Sequence, residues 1–163
     1  MSERPPRTKP CNDNFLSFLA SEPQVIHEGI IMFNKIDYNN LNAKAKEIYN
    51  FHKFSSVLAD YGYASMWLNN DWEGADFIAV HSDGETTLKV QLKGRLSFMK
   101  KYIGKNILIT FIEDGNYYIY PHDKILRLLN FTKTDKTWLE HGKWSSPRLT
   151  KRYKEILEDY RLG

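Results

Sequence analysis

Between residues 41 and 61 apolar side chains recur every three or four positions, at Leu41, Ala45, Ile48, Phe51, Phe54 and Leu58. That spacing predicts an amphipathic helix. Asp37, Asn39 and Asn42 are available as N-caps, and Gly62 is placed to stop it. Beyond Gly62 the pattern changes to strands. Residues 63–68, 76–81, 87–93, 107–112 and 117–120 are rich in β-branched and aromatic residues and read as strands. The breaks between them are a polar loop at 69–74, a turn at Ser82-Asp83-Gly84, a basic stretch, and a turn at Asp114-Gly115-Asn116. The Asp-Gly pair is a strong hairpin signal. Asp123 is expected to cap a helix through Ile125, Leu126, Leu128 and Leu129. A final helix is expected from Pro147, a favoured first-turn residue, to Leu162. Residues 14–21 suggest a short helix and 25–33 a strand, while 1–12, with three prolines and three basic residues, read as a flexible tail. This order of elements predicts an α/β fold with a mixed central sheet flanked by helices. A single domain is expected over 13–163, with its core at about 41–130 and a C-terminal helical extension at about 131–163.

The chemistry concentrates on the second hairpin. Asp76 begins one strand, and Gln91 and Lys93 lie two apart on the next, so the latter two share a face. A hairpin can bring Asp76 to the same patch. A carboxylate, an amide oxygen and an ammonium gathered at a sheet edge suit a metal ion and a phosphate. Magnesium keeps several waters and needs only one or two carboxylates besides substrate phosphate. Asp76 is the natural ligand, with the Gln91 side-chain oxygen and the Leu92 backbone carbonyl as weaker ones. Lys93 is placed to hold the attacking water and to offset charge developing on phosphorus. The plainer alternative is that Asp76 and Lys93 form an ordinary ion pair.

Asp76 on one strand with Gln91-Leu-Lys93 on the next resembles the PD-(D/E)xK nuclease superfamily, in the glutamine variant of its Mrr-type branch. The resemblance covers about residues 41–120. It implies a restriction-endonuclease-like three-layer core and Mg2+-dependent cleavage of DNA, with Mn2+ as a substitute, in restriction, defence or repair. Ala75 stands where the family name has proline, and Gln91 where an acid is usual, which removes one negative charge from the site. Members with such a site often add a glutamate from the leading helix. Glu47 is the candidate here, although it lies about one turn early, and His52 on the same helix is a second candidate. Double-strand cleavage would need two sites, which a homodimer would supply. A catalytically silent nucleic-acid-binding module, or a small subunit of a larger defence or repair assembly, is the alternative.

Net charge is only +3, but Lys93, Arg95, Lys100, Lys101 and Lys105 form a run without an acid directly after the hairpin. A basic face beside the site fits a polyanion such as DNA. Four tryptophans are present. Core packing is their usual role, and Trp72, beside the hairpin, is the one proposed to meet DNA bases. The five histidines show no zinc spacing. A single cysteine, Cys11, allows no internal disulfide, and no signal peptide or membrane-spanning apolar run is evident. A cytoplasmic protein without a membrane partner is expected.

Overall fold

The computed structural model describes residues 33–130 and 134–163. The expected tail and the expected helix at 14–21 lie outside them, as does the strand expected at 25–33 except for Phe33, which is not in a strand. The chain divides into two compact units, Met1–Asn40 and Leu41–Gly163. Of the first, residues 33–40 are described and end in a 3-10 turn, Tyr38–Asn40. The second carries the sheet and all candidate residues.

Helix α1 (Ala43–Asp60) starts where the Asn42 side chain accepts from the Ala45 N–H at 2.9 Å. It stops at Tyr61 and Gly62, whose φ of +80° supplies the left-handed residue such an end needs. Its buried residues are Phe54 and Leu58, with Phe51 packed beside them. Fully burying each of the first two contributes about 1.5–3 kcal/mol. Ile48, counted in the apolar stripe by sequence, is 44% exposed. The helix is therefore rotated so that Glu47, Phe51, Phe54 and Leu58, at successive helical intervals, form one line.

Strands β1 (Tyr63–Trp72), β2 (Ala75–His81), β3 (Thr87–Leu92), β5 (Ile107–Glu113), β6 (Asn116–Pro121) and β8 (Arg161–Leu162) form one sheet in that order. Only β3 and β5 are parallel; the other neighbours are antiparallel. The sheet is thus mixed and flanked by helices, as expected. A parallel pair needs a crossover. Here the crossover is not a helix but the short strand β4 (Ser97–Met99) and a 3-10 turn (Lys100–Tyr102). β4 pairs with β7 (Lys143–Ser145) in a separate two-stranded ribbon.

Alternation along the strands builds two cores. Phe77, Ala79, Val90 and Leu92 pack with Phe54 and Leu58 of α1. Ile107, Ile109, Phe111, Tyr118 and Tyr120 pack with Ile125, Leu126 and Leu129 of α2 (His122–Leu129). Trp138 of α3 (Lys136–His141) and Leu157 of α4 (Lys151–Leu157) belong to this second core.

Several sequence expectations are corrected. The polar stretch 69–72 continues β1 instead of forming a loop, and the turn shrinks to Glu73-Gly74. The β2–β3 connection spans residues 82–86, because Asp83 accepts from the Glu85 and Thr86 N–H groups at 2.8 and 2.9 Å and so holds a wider loop. Asp123 does not cap α2; it lies inside the helix and accepts from the Gly104 N–H at 2.8 Å. The last helix starts after Thr150, whose hydroxyl is its cap, and ends at Leu157. Residues beyond it join the sheet as β8, so the C-terminal extension is not wholly helical.

Candidate active site

Phe77 pairs with Val90, so the antiparallel register sets Asp76 beside Gln91 and sends both side chains away from α1. Asp76 Oδ2 accepts from the Leu92 N–H at 2.8 Å and from the Gln91 side-chain amide. The same Gln91 Nε2 donates to the Leu92 carbonyl at 3.2 Å. An NH2 group thus lies between two oxygens. Lys93 follows directly, kept in line by its N–H bond to the Thr110 carbonyl at 2.8 Å. Asp76, Gln91 and Lys93 line one depression of about 500 Å3.

Glu47 lines the same depression. It continues the sheet-facing line of α1 by one turn, which carries a carboxylate to the end of the sheet. Lys44 donates to Glu47 at 3.0 Å and stands 4.9 Å from the centre of the Trp67 ring. Between Trp67 and Trp72 the pairing of β1 with β2 shifts register. Such irregularities re-aim strand residues, and here Leu68, Asn69 and Asn70 line the cavity.

Tyr102 closes the floor. It is 1% exposed, and its hydroxyl donates to Gln91 Oε1 at 3.1 Å. Its ring fits only because residue 74 is glycine: a Cβ there would lie 2.8 Å from Tyr102 Cε1. Glu73 and Gly74 have φ of +56° and +91°, both left-handed, as the tightest hairpin turns demand. Lys93 and Lys101 approach the Tyr102 ring to 5.4 and 5.1 Å. Burial pushes the Lys93 ammonium below the ordinary lysine range, and the Lys101 charge adds to this, while Asp76 and Glu47 oppose it.

Not every candidate reaches the cavity. His52 is exposed and does not line it, being five residues from Glu47 and so roughly 140° around the helix. Trp72 is 52% exposed at the end of β1, and Trp67 is the indole in the cavity wall. The basic run does not form one face. Lys101 lines the cavity, whereas Lys100 lies over Trp138 at 5.7 Å and donates to the Leu139 carbonyl. Successive residues of a 3-10 turn diverge by about 120°, which separates the two lysines. Lys105 lies near enough to Glu73 to influence its carboxyl. Arg95 is exposed beyond the site. Tyr102, Lys44, Asn69 and Asn70 are cavity residues that sequence reasoning did not single out.

Among the described residues no group of three or more His, Cys, Asp or Glu side chains could hold a metal ion. Oxygens are nevertheless gathered. Asp76 Oδ2 and the Leu92 carbonyl already converge on one amide group, and a half-turn of that amide exchanges Nε2 for Oε1. Amide orientation is assigned from its hydrogen bonds, and a tyrosine hydroxyl can both donate and accept. Tyr102 can therefore satisfy either orientation. The donor set fits a hard cation that keeps water and takes substrate oxygen. Also among the described residues, no helix is long and apolar enough to cross a membrane. Comparison with protein-family models, curated proteins and solved structures finds no match to this chain.

Proposed function

We propose that this chain is a divalent-metal-dependent endonuclease acting on DNA, with a restriction-endonuclease-like three-layer core. The observation that carries the reading is the convergence of Asp76, Gln91 and Lys93, with Glu47 and Lys101, on one cavity at the end of the sheet. Asp76, the turned Gln91 amide and the Leu92 carbonyl would hold Mg2+ or Mn2+. When bound, the ion supplies charge neutralisation on the phosphate and a more acidic water. The remaining work falls to the chain. The Leu92 N–H fixes the Asp76 carboxylate. Lys93 orients water and offsets charge on the phosphate, and Lys101 and Lys44 add positive potential at the cavity. A homodimer would supply two such sites for double-strand cleavage.

The test is incubation of duplex, nicked and branched DNA with magnesium, manganese or chelator. Products should form with the metals, vanish with chelator, and be lost in Asp76→Ala. One observation favours the alternative of a silent nucleic-acid-binding module: Gln91 donates to both Asp76 and Leu92, which satisfies the site without a cation. Calorimetry separates the two readings. On the nuclease reading Gln91→Glu tightens magnesium binding, because it restores a negative oxygen ligand. Unchanged binding in that variant, together with no cleavage by the wild type, would favour the silent module.

A further inference from the structure

A second depression, of about 380 Å3, shares Lys93 with the candidate site and runs along the ribbon of β4 and β7. Ser97 faces Ser145 and Met99 faces Lys143 across the ribbon, so these four side chains stand on one face. Phe98 and Trp144, paired on the other face, turn toward the core. The groove has an apolar floor to which Phe98, Met99 and Trp144 contribute, and its polar lining is three cations, Lys93, Arg95 and Lys143, and three hydroxyl residues, with no carboxylate. Arg95, Thr137, Lys143 and Ser145 are exposed. Ion pairs among the described residues engage Lys44, Lys89, Lys151 and Arg161, not Arg95 or Lys143.

Cations interleaved with hydroxyls, free of acids, are the side chains that contact phosphodiester oxygens. An acid-free groove that meets the candidate active site at Lys93 is complementary to a polyanion that extends beyond one phosphate. We propose that this groove carries the nucleic-acid backbone away from the candidate active site, with Arg95, Lys143 and the Ser145 hydroxyl on its phosphates. The inference rests on the nuclease reading and deepens it by assigning the path. It draws in Lys143, which is 50 residues from Lys93 in sequence and outside the basic run. It leaves out Lys100, which lines a different depression.

The test measures binding of a short fluorescent DNA duplex, in chelator to prevent cleavage, over a range of salt concentrations. Each phosphate contact adds about 0.9 to the slope of log affinity against log salt. Arg95→Ala/Lys143→Ala should therefore flatten the slope by about 1.8 on the same basis. A control with equal charge removed, Lys151→Ala/Lys154→Ala, alters a depression that also holds Glu155 and Glu158. It should leave the slope unchanged. Because all four residues are exposed, both variants should melt like the wild type. If the wild type binds and the groove variant keeps its slope, or the control loses as much, the path is wrong while the nuclease reading stands. If the wild type binds no DNA under any salt condition, both fall.

Discussion

Tyr102 ties the floor of the cavity to its chemistry, so Tyr102→Phe is an informative perturbation. The substitution keeps the ring that packs over Gly74 and removes only the hydroxyl that donates to Gln91 Oε1 at 3.1 Å. Both partners are buried, at 1% and 8% exposure. A hydrogen bond of this kind contributes about 0.5–1.5 kcal/mol, and an acceptor left without its donor in the interior costs about 1–3 kcal/mol. Turning the Gln91 amide would only set Oε1 against Asp76 and the Leu92 carbonyl. Both residues line the cavity, however, where water can partly replace the lost donor, so the lower part of that range applies, about 1–2 kcal/mol. For a domain of this size that corresponds to a fall in melting temperature of roughly 4–8 °C. Thermal unfolding followed by circular dichroism measures it. The same substitution made in Gln91→Met should cost much less, because the partner has already gone. An unchanged melting temperature, or an equal loss in both backgrounds, would refute the idea that Tyr102 acts through Gln91.

Gly74→Ala should be more damaging than Tyr102→Phe, since it combines a 2.8 Å contact with Tyr102 and a φ of +91°. Left-handed strain of about 1–2 kcal/mol adds to an overpacking cost of about 1–3 kcal/mol, and urea denaturation should show the sum. If charged Lys93 is required, activity falls as pH rises through its lowered pKa. Lys101→Ala removes a like charge that depresses that pKa, so the alkaline limb of the pH–rate profile should move to higher pH; a limb that stays in place would contradict the coupling. His122 is 1% exposed, and burial holds its pKa below 6.5 against the opposing pull of Asp123. As pH falls below that value the unfolded chain takes up a proton that the folded chain does not, so stability should decline from about pH 6.5 downward. His122→Gln should flatten that decline in melting temperature, whatever its effect at neutral pH.

The parts of this fold that are legible in the sequence are those dictated locally. The helix from Ala43 follows from Asn42 as cap and from Phe51, Phe54 and Leu58, and the strands around Asp76 and Gln91 follow from their short β-rich runs. Alternation places Gln91 and Lys93 on one face, and the register of β2 against β3 then brings Asp76 beside Gln91. What escapes local reading depends on distant partners. Asn69 and Asn70 look like loop residues until a register shift against β2 carries them into a strand over the cavity. Arg161 and Leu162 are too few to announce a strand, and they become one only by pairing with Tyr117 and Tyr118. Tyr102 reads as an ordinary core aromatic, and by burial it is one; only the tertiary fold sets its hydroxyl on Gln91. Ile48 falls outside the buried line of α1, which Glu47 continues toward the cavity, because the rotation of the helix is settled by packing and not by its own period.

The central claim is that Asp76, Gln91 and Lys93 form a hydrolytic site. Its most direct test is cleavage of labelled DNA with magnesium by the wild type, Asp76→Ala and Lys93→Ala side by side, with folding checked by melting and binding checked in chelator. The account predicts metal-dependent products from the wild type alone, while both variants stay folded and still bind DNA. Equal cleavage by all three proteins would contradict it.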